Sequence, residues 1–272
     1  MSELNLDRPA DALSSSMVTL TLNEDACFLY PENATYWSAD VVNGTYEPEI
    51  DWLLRRASTQ PFAMIDAGAN YGFWSILASC EPYGRHSTIA IEPARANYEC
   101  LLHNAKMNGG RFQTLRRAVL DESGRRLKLY GKKHYGLSLR TDWHPNDVDR
   151  FEEVETITLD EVAHKYVPEK PYPVFVKLDI EGAEIEGFKG AHRLIDDGAL
   201  IVYEDHGKEP THPVSRYVLS LEDIEVWYVG ADKRPTAITT IEQVEAVKID
   251  PMCGYNFFAA RRSSPWLSFF HS

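Results

Sequence analysis

The chain has 272 residues, enough for one large domain with a substantial core. Its apolar content of 44% and charged content of 25% are those of a globular protein, and a net charge of -13 excludes a general nucleic-acid binder, because no basic field exists to displace counterions. Cys27, Cys80, Cys100 and Cys253 are far apart and form no C-x-x-C pair, as expected of free thiols in a reducing compartment.

Residues 1 to about 16 are polar, and the stretch from Met1 to Pro9 has acids but no apolar core, so no signal peptide is expected. No run approaches the ~20 apolar residues that span a membrane. Both features predict a cytoplasmic protein, in which the sequons at Asn33 and Asn43 are chance matches. Met17 to Leu22 alternates in the manner of a strand, and Ala26 to Tyr30 pairs with it as a hairpin. Asn43-Gly44 marks a turn. Pro48 then opens a helix with Ile50, Leu53, Leu54 and Ala57 on one face. Glu47, just before that helix, either complements its dipole or reaches a cofactor's amino group. Residues 1–58 are therefore a tail and an N-terminal β/α cap, and 59–272 the main domain.

Phe62 to Ile65 reads as a buried strand, and Phe73 to Ala78 as the start of a buried helix. Between them lies the turn Asp66-x-Gly68-x-Asn70-x-Gly72. Strand, glycine turn and helix form the front half of a nucleotide-binding βαβ unit. Here Asn70 replaces the middle glycine that lets a backbone approach a pyrophosphate, though Asn tolerates left-handed conformations. An acid opens the turn, which repels phosphate and suits an ammonium or sulfonium. A cationic nucleoside such as S-adenosylmethionine fits. Ser87 to Ile91 is the second strand, ending in Glu92, where ribose hydroxyls are bound in such units. The bland alternative is that Asp66 and Glu92 merely cap helices. Tyr98, Leu101, Leu102 and Ala105 then mark an amphipathic helix that Gly109-Gly110 stops.

Gln113 to Val119 reads as a third strand. Residues near 120–170 break the βα rhythm as an insertion, with strands at Leu127 to Tyr130 and Val154 to Leu159. It holds a basic cluster, Arg125, Arg126, Lys128, Lys132 and Lys133, which either attracts an anionic acceptor or is a solvated face. Tyr135, Trp143 and His144 are either a stacking platform for a sugar or loop anchors. Pro173 to Leu178 is a fourth strand, leading into Asp179-Ile-Glu181-Gly-Ala-Glu184. The helix after it carries Ile185, Phe188, Ala191, His192 and Ile195 inward. Ala199 to Tyr203 is a fifth strand ending in Glu204-Asp205-His206. A helix at Val214 to Leu221 and strands at Glu225 to Val229 and Tyr255 to Ala260 close the chain. The predicted fold is α/β: a mostly parallel Rossmann-like sheet, helices on both faces, the last strand antiparallel.

The whole pattern resembles the FkbM family of S-adenosylmethionine-dependent methyltransferases, in the class I, Rossmann-like group. The residues that carry the resemblance are Gly44-Thr-Tyr-Glu-Pro48, Ile65-Asp-Ala-Gly-Ala-Asn-Tyr-Gly72, Glu92-Pro93, Leu137-Ser-Leu139 and Thr158-Leu-Asp160. With them go Val176-Lys-Leu-Asp-Ile-Glu-Gly-Ala-Glu184, Lys189-Gly-Ala191 and Glu204. The resemblance implies O-methylation of a hydroxyl on a sugar, glycan or natural-product acceptor. The expected cofactor contacts are Glu47, Asp66, Gly68, Asn70, Gly72, Glu92, Ala118 and Asp179.

At the strand ends, Asp179, Glu181 or His206 is the expected general base. The competing expectation is a divalent cation, magnesium, held by Asp179, Glu204 and Asp205. Lys177 is expected on the strand face opposite Asp179, in packing or an ion pair. A nicotinamide oxidoreductase on the same fold and a non-catalytic nucleoside-binding protein are the rival readings. The number of subunits is left open.

Overall fold

A computed structural model describes residues 16–131, 151–168 and 173–271, the side chains at 35–38 aside. In chain order the first elements are β1 (Met17–Asn23), β2 (Ala26–Pro31), α1 (Thr35–Asn43) and α2 (Pro48–Ala57). Then come β3 (Ala63–Ala67), α3 (Phe73–Ser79), β4 (Ser87–Ile91), α4 (Arg95–Met107), β5 (Gln113–Leu115) and β6 (Ala118–Val119). The middle holds β7 (Arg126–Tyr130), β8 (Phe151–Ile157), α5 (Leu159–Tyr166), β9 (Val174–Leu178), α6 (Glu184–Lys189) and α7 (His192–Asp196). β10 (Leu200–Glu204), α8 (Pro213–Leu219), β11 (Ile224–Val229), β12 (Pro235–Ile238), α9 (Ile241–Val247) and β13 (Asn256–Arg261) complete it.

Mostly apolar runs make the sheet centre, because those strands are covered on both faces; Asp66 and Lys177 are the buried charges within them. The main sheet has the order β12-β11-β13-β10-β9-β3-β4-β5. From β5 to β10 the pairings are parallel, and β13 inserts antiparallel between β10 and β11. This is the expected Rossmann-like class I arrangement. Side chains alternate between two cores with the strand period of two. Met64, Ala90, Phe175, Val202 and Phe258 face one core, with residues of α2, α3 and α4. Ile65, Ile89, Val176, Ile201 and Phe257 face the other, with residues of α5 to α9.

The β1–β2 hairpin forms as expected. Asn104 of α4 and Asn108, which caps its end, hold it by matching backbone hydrogen bonds. Asn104 accepts from Leu29 N at 2.8 Å and donates to Leu29 O and Tyr71 O, both at 2.8 Å. Asn108 accepts from Cys27 N and donates to Cys27 O. Both were invisible to hydrophobic periodicity, which marks only apolar positions. Asn104 is fully buried, so Asn104→Ala leaves backbone groups unpaired. We expect it to lower unfolding free energy in urea by about 2–4 kcal/mol; a change within error would show that the hairpin is not anchored there.

Several expected boundaries move. The strand read over 113–119 is two, β5 in the main sheet and β6 in a three-stranded sheet of order β6-β8-β7. Strand β8 stops at Ile157, because Thr158 caps the unforeseen helix α5 by accepting from Glu161 N. The helix read from 185 to 195 is interrupted after Gly190. There a Cβ would lie 2.2 Å from Leu120 O, so the backbone approach requires glycine. The interruption rotates the second part: Leu194 is buried, His192 is exposed, and Ile185 and Ile195 are half-buried. The chain does not close on β13, since a 3₁₀ turn over Pro265–Phe269 brings Trp266 and Leu267 into the core. Helix α1 and the β12–α9 segment were also unforeseen. Among the described residues, no helix is long and apolar enough to cross a membrane.

Candidate active site

The parallel pairing aligns the carboxyl ends of four strands. Ala67 is in register with Ile91 and Leu178, and Leu178 with Tyr203. The residues that follow, Gly68, Glu92, Asp179 and Glu204, therefore emerge at one level. Gly68, Glu92 and Asp179 border an open cleft of about 940 Å³, and Glu204 stands beside it.

The turn after β3 has the conformation its residues imply. Gly68 has φ +81°, and a Cβ there would lie 1.6 Å from Asp179 O, so the turn rests directly on the backbone leaving β9. Asn70 is left-handed at φ +51° and donates its N–H to Glu92 Oε2 at 2.9 Å. Glu92 Oε1 accepts from Ala94 N at 2.9 Å, so one carboxylate ties together the turns after β3 and β4. Burial pushes Glu92 up to about 7, against those hydrogen bonds. Asp66 accepts from Ser75 Oγ at 2.6 Å, and burial pushes it up to about 6, with Lys177 opposing.

Lys177 overturns an expectation. Its Nζ lies 2.8 Å from Asp179 Oδ2 and 3.7 Å from Glu47 Oε1, in the same buried cluster. Positions 177 and 179 are two apart, and a strand period of two puts them on one face. The expectation of opposite faces is thus corrected: a spacing of two returns to the same face. Burial opposes the charge of Asp179, yet Lys177 holds it below the usual carboxylate range.

Of the expected cofactor contacts, Asp66, Gly68, Asn70, Glu92, Ala118 and Asp179 line the cleft. Glu47 and Gly72 do not. Glu47 is left-handed at φ +42° and accepts from Trp74 Nε1 and Asn256 Nδ2, behind the wall that Tyr46, Phe73 and Trp74 make. Gly72 is pressed against Leu101, whose Cδ1 would lie 2.5 Å from an added Cβ. Of the expected bases, Asp179 and Glu181 line the cleft, whereas His206 stands outside its wall with Nδ1 3.2 Å from Glu204 Oε2. Arg117, at the strand end beside Ala118, also faces the cleft, as does Lys177, which was not anticipated there.

The magnesium trio does not assemble. Asp205 is buried away from Asp179 and Glu204, accepting from Ser215 N at 3.1 Å and from Lys248 Nζ at 2.6 Å. It anchors the start of α8 to the end of α9, because successive residues at a strand end diverge. Among the described residues no group of three His, Cys, Asp or Glu side chains is placed to hold a metal. Within the basic cluster, Lys128 Nζ lies 3.8 Å from the centre of the Phe151 ring, and Arg125 lies near Asp121 and Glu122. Lys132, Lys133, Tyr135, Leu137-Ser-Leu139, Trp143 and His144 lie outside the described residues.

Raised buried carboxyls link stability to pH. Asp66 at about 6, Glu49 and Glu92 at about 7 and Glu184 at about 8 all exceed ordinary values, burial being the largest cause. A raised folded-state pKa contributes stability below about pH 4 that is lost as pH rises through the folded values. Asp179, held low, acts in the opposite sense only at more acidic pH. We expect melting to occur roughly 5–10 °C higher at pH 5 than at pH 8. Scanning calorimetry across that range checks it, and a maximum near pH 8 would contradict it.

No curated protein matches the sequence. Among solved structures, the methyltransferase FkbM from Methylobacillus flagellatus KT is 16% identical, with a TM-score of 0.44 over 82% of this chain. The match takes in 60% of that protein, so this chain spans less than two thirds of its length. The TYW2 protein of M. jannaschii, solved in complex with AdoMet, is 12% identical over 90% of this chain and 84% of its own, with a TM-score of 0.46. Precorrin-6y C5,15-methyltransferase from Geobacter metallireducens GS-15 is 13% identical over 81% of this chain and 88% of its own, with a TM-score of 0.42. The family model described as the methyltransferase FkbM domain matches residues 66–223, more than half of the chain, with the turn after β3 and the Asp179 block inside the match, and on that ground the protein belongs to the FkbM methyltransferase family.

Proposed function

We propose that the protein is an S-adenosylmethionine-dependent methyltransferase that methylates a hydroxyl of a sugar, glycan or natural-product acceptor. One observation carries the reading: Asp66, Glu92, Asp179 and Glu181 line a single cleft beside a glycine turn. The acid set suits a cation and disfavours a pyrophosphate. The Asn70 side chain, standing where a dinucleotide site needs glycine, weighs against a nicotinamide cofactor.

The residues present fit the donor. Asn70 Oδ1 is buried without a hydrogen-bond partner among the described residues, and it belongs to the cleft wall. It awaits a ligand N–H or O–H. Glu92 has acceptor capacity left for ribose hydroxyls. Ala118, Val119 and Leu129 offer an apolar surface for a purine. Asp66 and Asp179 face the cationic end. Once bound, the cofactor supplies a methyl group on a positively charged sulfur.

The chain's own task is then to align a hydroxyl and accept its proton. Asp179 and Glu181 are the carboxylates at the cleft wall within which that proton can be received. With four free cysteines, the protein is read as cytoplasmic, acting on a small molecule or saccharide and not on nucleic acid.

Calorimetric titration with S-adenosylmethionine and with NAD tests the cofactor. Binding of NAD alone would defeat the proposal. Transfer of labelled methyl to a panel of sugar nucleotides, glycans and polyketide alcohols then tests the acceptor class.

A further inference from the structure

Strands β9 and β10 end side by side, with Tyr203 in register with Leu178, so Glu204 emerges next to Asp179. Asp179 faces the cleft, whereas Glu204 does not line it. Behind the pair, Glu204 Oε2 lies 3.2 Å from His206 Nδ1. Gly254 is what lets Glu204 sit there: a Cβ on Gly254 would lie 1.5 Å from Glu204 Oε1. Among the described residues the cluster has one buried cation, Lys177, set between Asp179 and Glu47. Asn256, paired with Glu204 across β13, spends its amide on Glu47 and Glu49. Carboxylates thus outnumber the buried cation, and water is kept away from most of them.

We propose that Glu204 is the proton-sharing partner of Asp179: the two carboxyls hold one proton between them in the free protein, lose it when the cationic donor enters, and recover one from the acceptor at methyl transfer. This rests on the function proposed above.

The electrostatics agree with the geometry. Burial is the largest cause that raises Glu204 well above the carboxylate range, followed by Asp179, Glu181 and Glu184, with Lys177 opposing. Protonated Glu204 donates to Asp179, which helps keep Asp179 ionised. Other groups face the pair too. Tyr46 feels Glu47, Lys177, Asp179 and Glu204. His206, kept neutral chiefly by burial, feels Asp179, Lys208, Asp205 and Glu209. Glu49 adds a further raised carboxyl near Glu47.

The sharing resolves a difficulty in the mechanism. Asp179 paired with Lys177 and a protonated neighbour is a weak base. Two like charges this close do not both ionise easily, so once the shared proton has left, the doubly ionised pair is a much stronger base than Asp179 alone. A positive ligand beside Asp179 supplies the field that drives the proton off, and His206 Nδ1, 3.2 Å from Glu204, is the neighbouring group that can take it up. At transfer the acceptor oxygen bonds the methyl carbon, the carbon–sulfur bond breaks with its electron pair left on sulfur, and the hydroxyl proton goes to the pair. The sulfonium charge disappears in the same step, so the pair is protonated again as its reason for ionising is removed.

The test compares native protein with Glu204→Gln, whose amide keeps the hydrogen bond to Asp179 and carries no titrating proton. Infrared difference spectra of the two free proteins at pH 8 are expected to show one additional carboxylic-acid carbonyl in the native protein, beyond that of Glu184 common to both. Titration calorimetry with S-adenosylmethionine at pH 8, in buffers of different ionisation enthalpy, is expected to show about one more proton released per donor by the native protein than by the variant. Identical carbonyl regions overturn the shared proton. Donor binding with equal proton counts in both proteins overturns the coupling alone. Absence of any donor binding by native protein overturns the proposed function and the coupling together.

Discussion

Gly68→Ala is expected to cost more than about 4 kcal/mol of stability and to abolish cofactor binding. Two effects add. The residue has φ +81°, where a Cβ is strained by about 1 kcal/mol. The added carbon would also lie 1.6 Å from Asp179 O, a backbone atom fixed by the pairing of β9 with β3 and β10. Neither partner can yield without separating the turn from the loop that carries Asp179. Gly109→Ala is the control: φ is +73° and nothing lies within 4 Å of the added carbon, so only the strain of about 1 kcal/mol is expected. Urea unfolding of the two variants separates strain from collision. Equal losses would mean that the contact with Asp179 O is not rigid.

Asp66→Asn is expected to weaken S-adenosylmethionine binding by about 10–100-fold while leaving the protein at least as stable. A unit charge within about 4 Å of a cation is worth up to ~4 kcal/mol at the effective dielectric of a protein surface, so two powers of ten are well within reach. The amide retains an oxygen for the hydrogen bond from Ser75 Oγ. Because burial raises Asp66 to about 6, its ionisation burdens the fold increasingly above about pH 4 and fully above about pH 6. The variant should therefore melt higher than native protein at pH 8, by a smaller margin at pH 5, and equally only below about pH 4. Unchanged donor affinity would remove Asp66 from the site, and a lower melting temperature at pH 8 would contradict its raised pKa.

The site was legible in part because its signals are local. Asp66-x-Gly68-x-Asn70-x-Gly72 specifies a turn through backbone preferences, and Glu92 and Asp179 follow apolar runs that can only be buried strands. What escaped was of two kinds. Lys177 was placed on the wrong face although its spacing from Asp179 was in plain view. Asn256 could not have been found at all, because it meets Glu47 across 209 positions of sequence. Glu204 and Asp205 looked equivalent as neighbouring acids. Only the structure separates them, sending one toward Asp179 and the other to Lys248.

Strand periodicity, glycine turns and the order of elements are properties of neighbouring residues, so the chain alone specified a twisted parallel sheet with acids along one rim. Which acids share a proton, which meet a lysine and which merely hold a helix in place depends on side chains brought together by strand pairing. That pairing is long-range: burial and Coulomb interaction depend on distance in space, and linear order does not encode it.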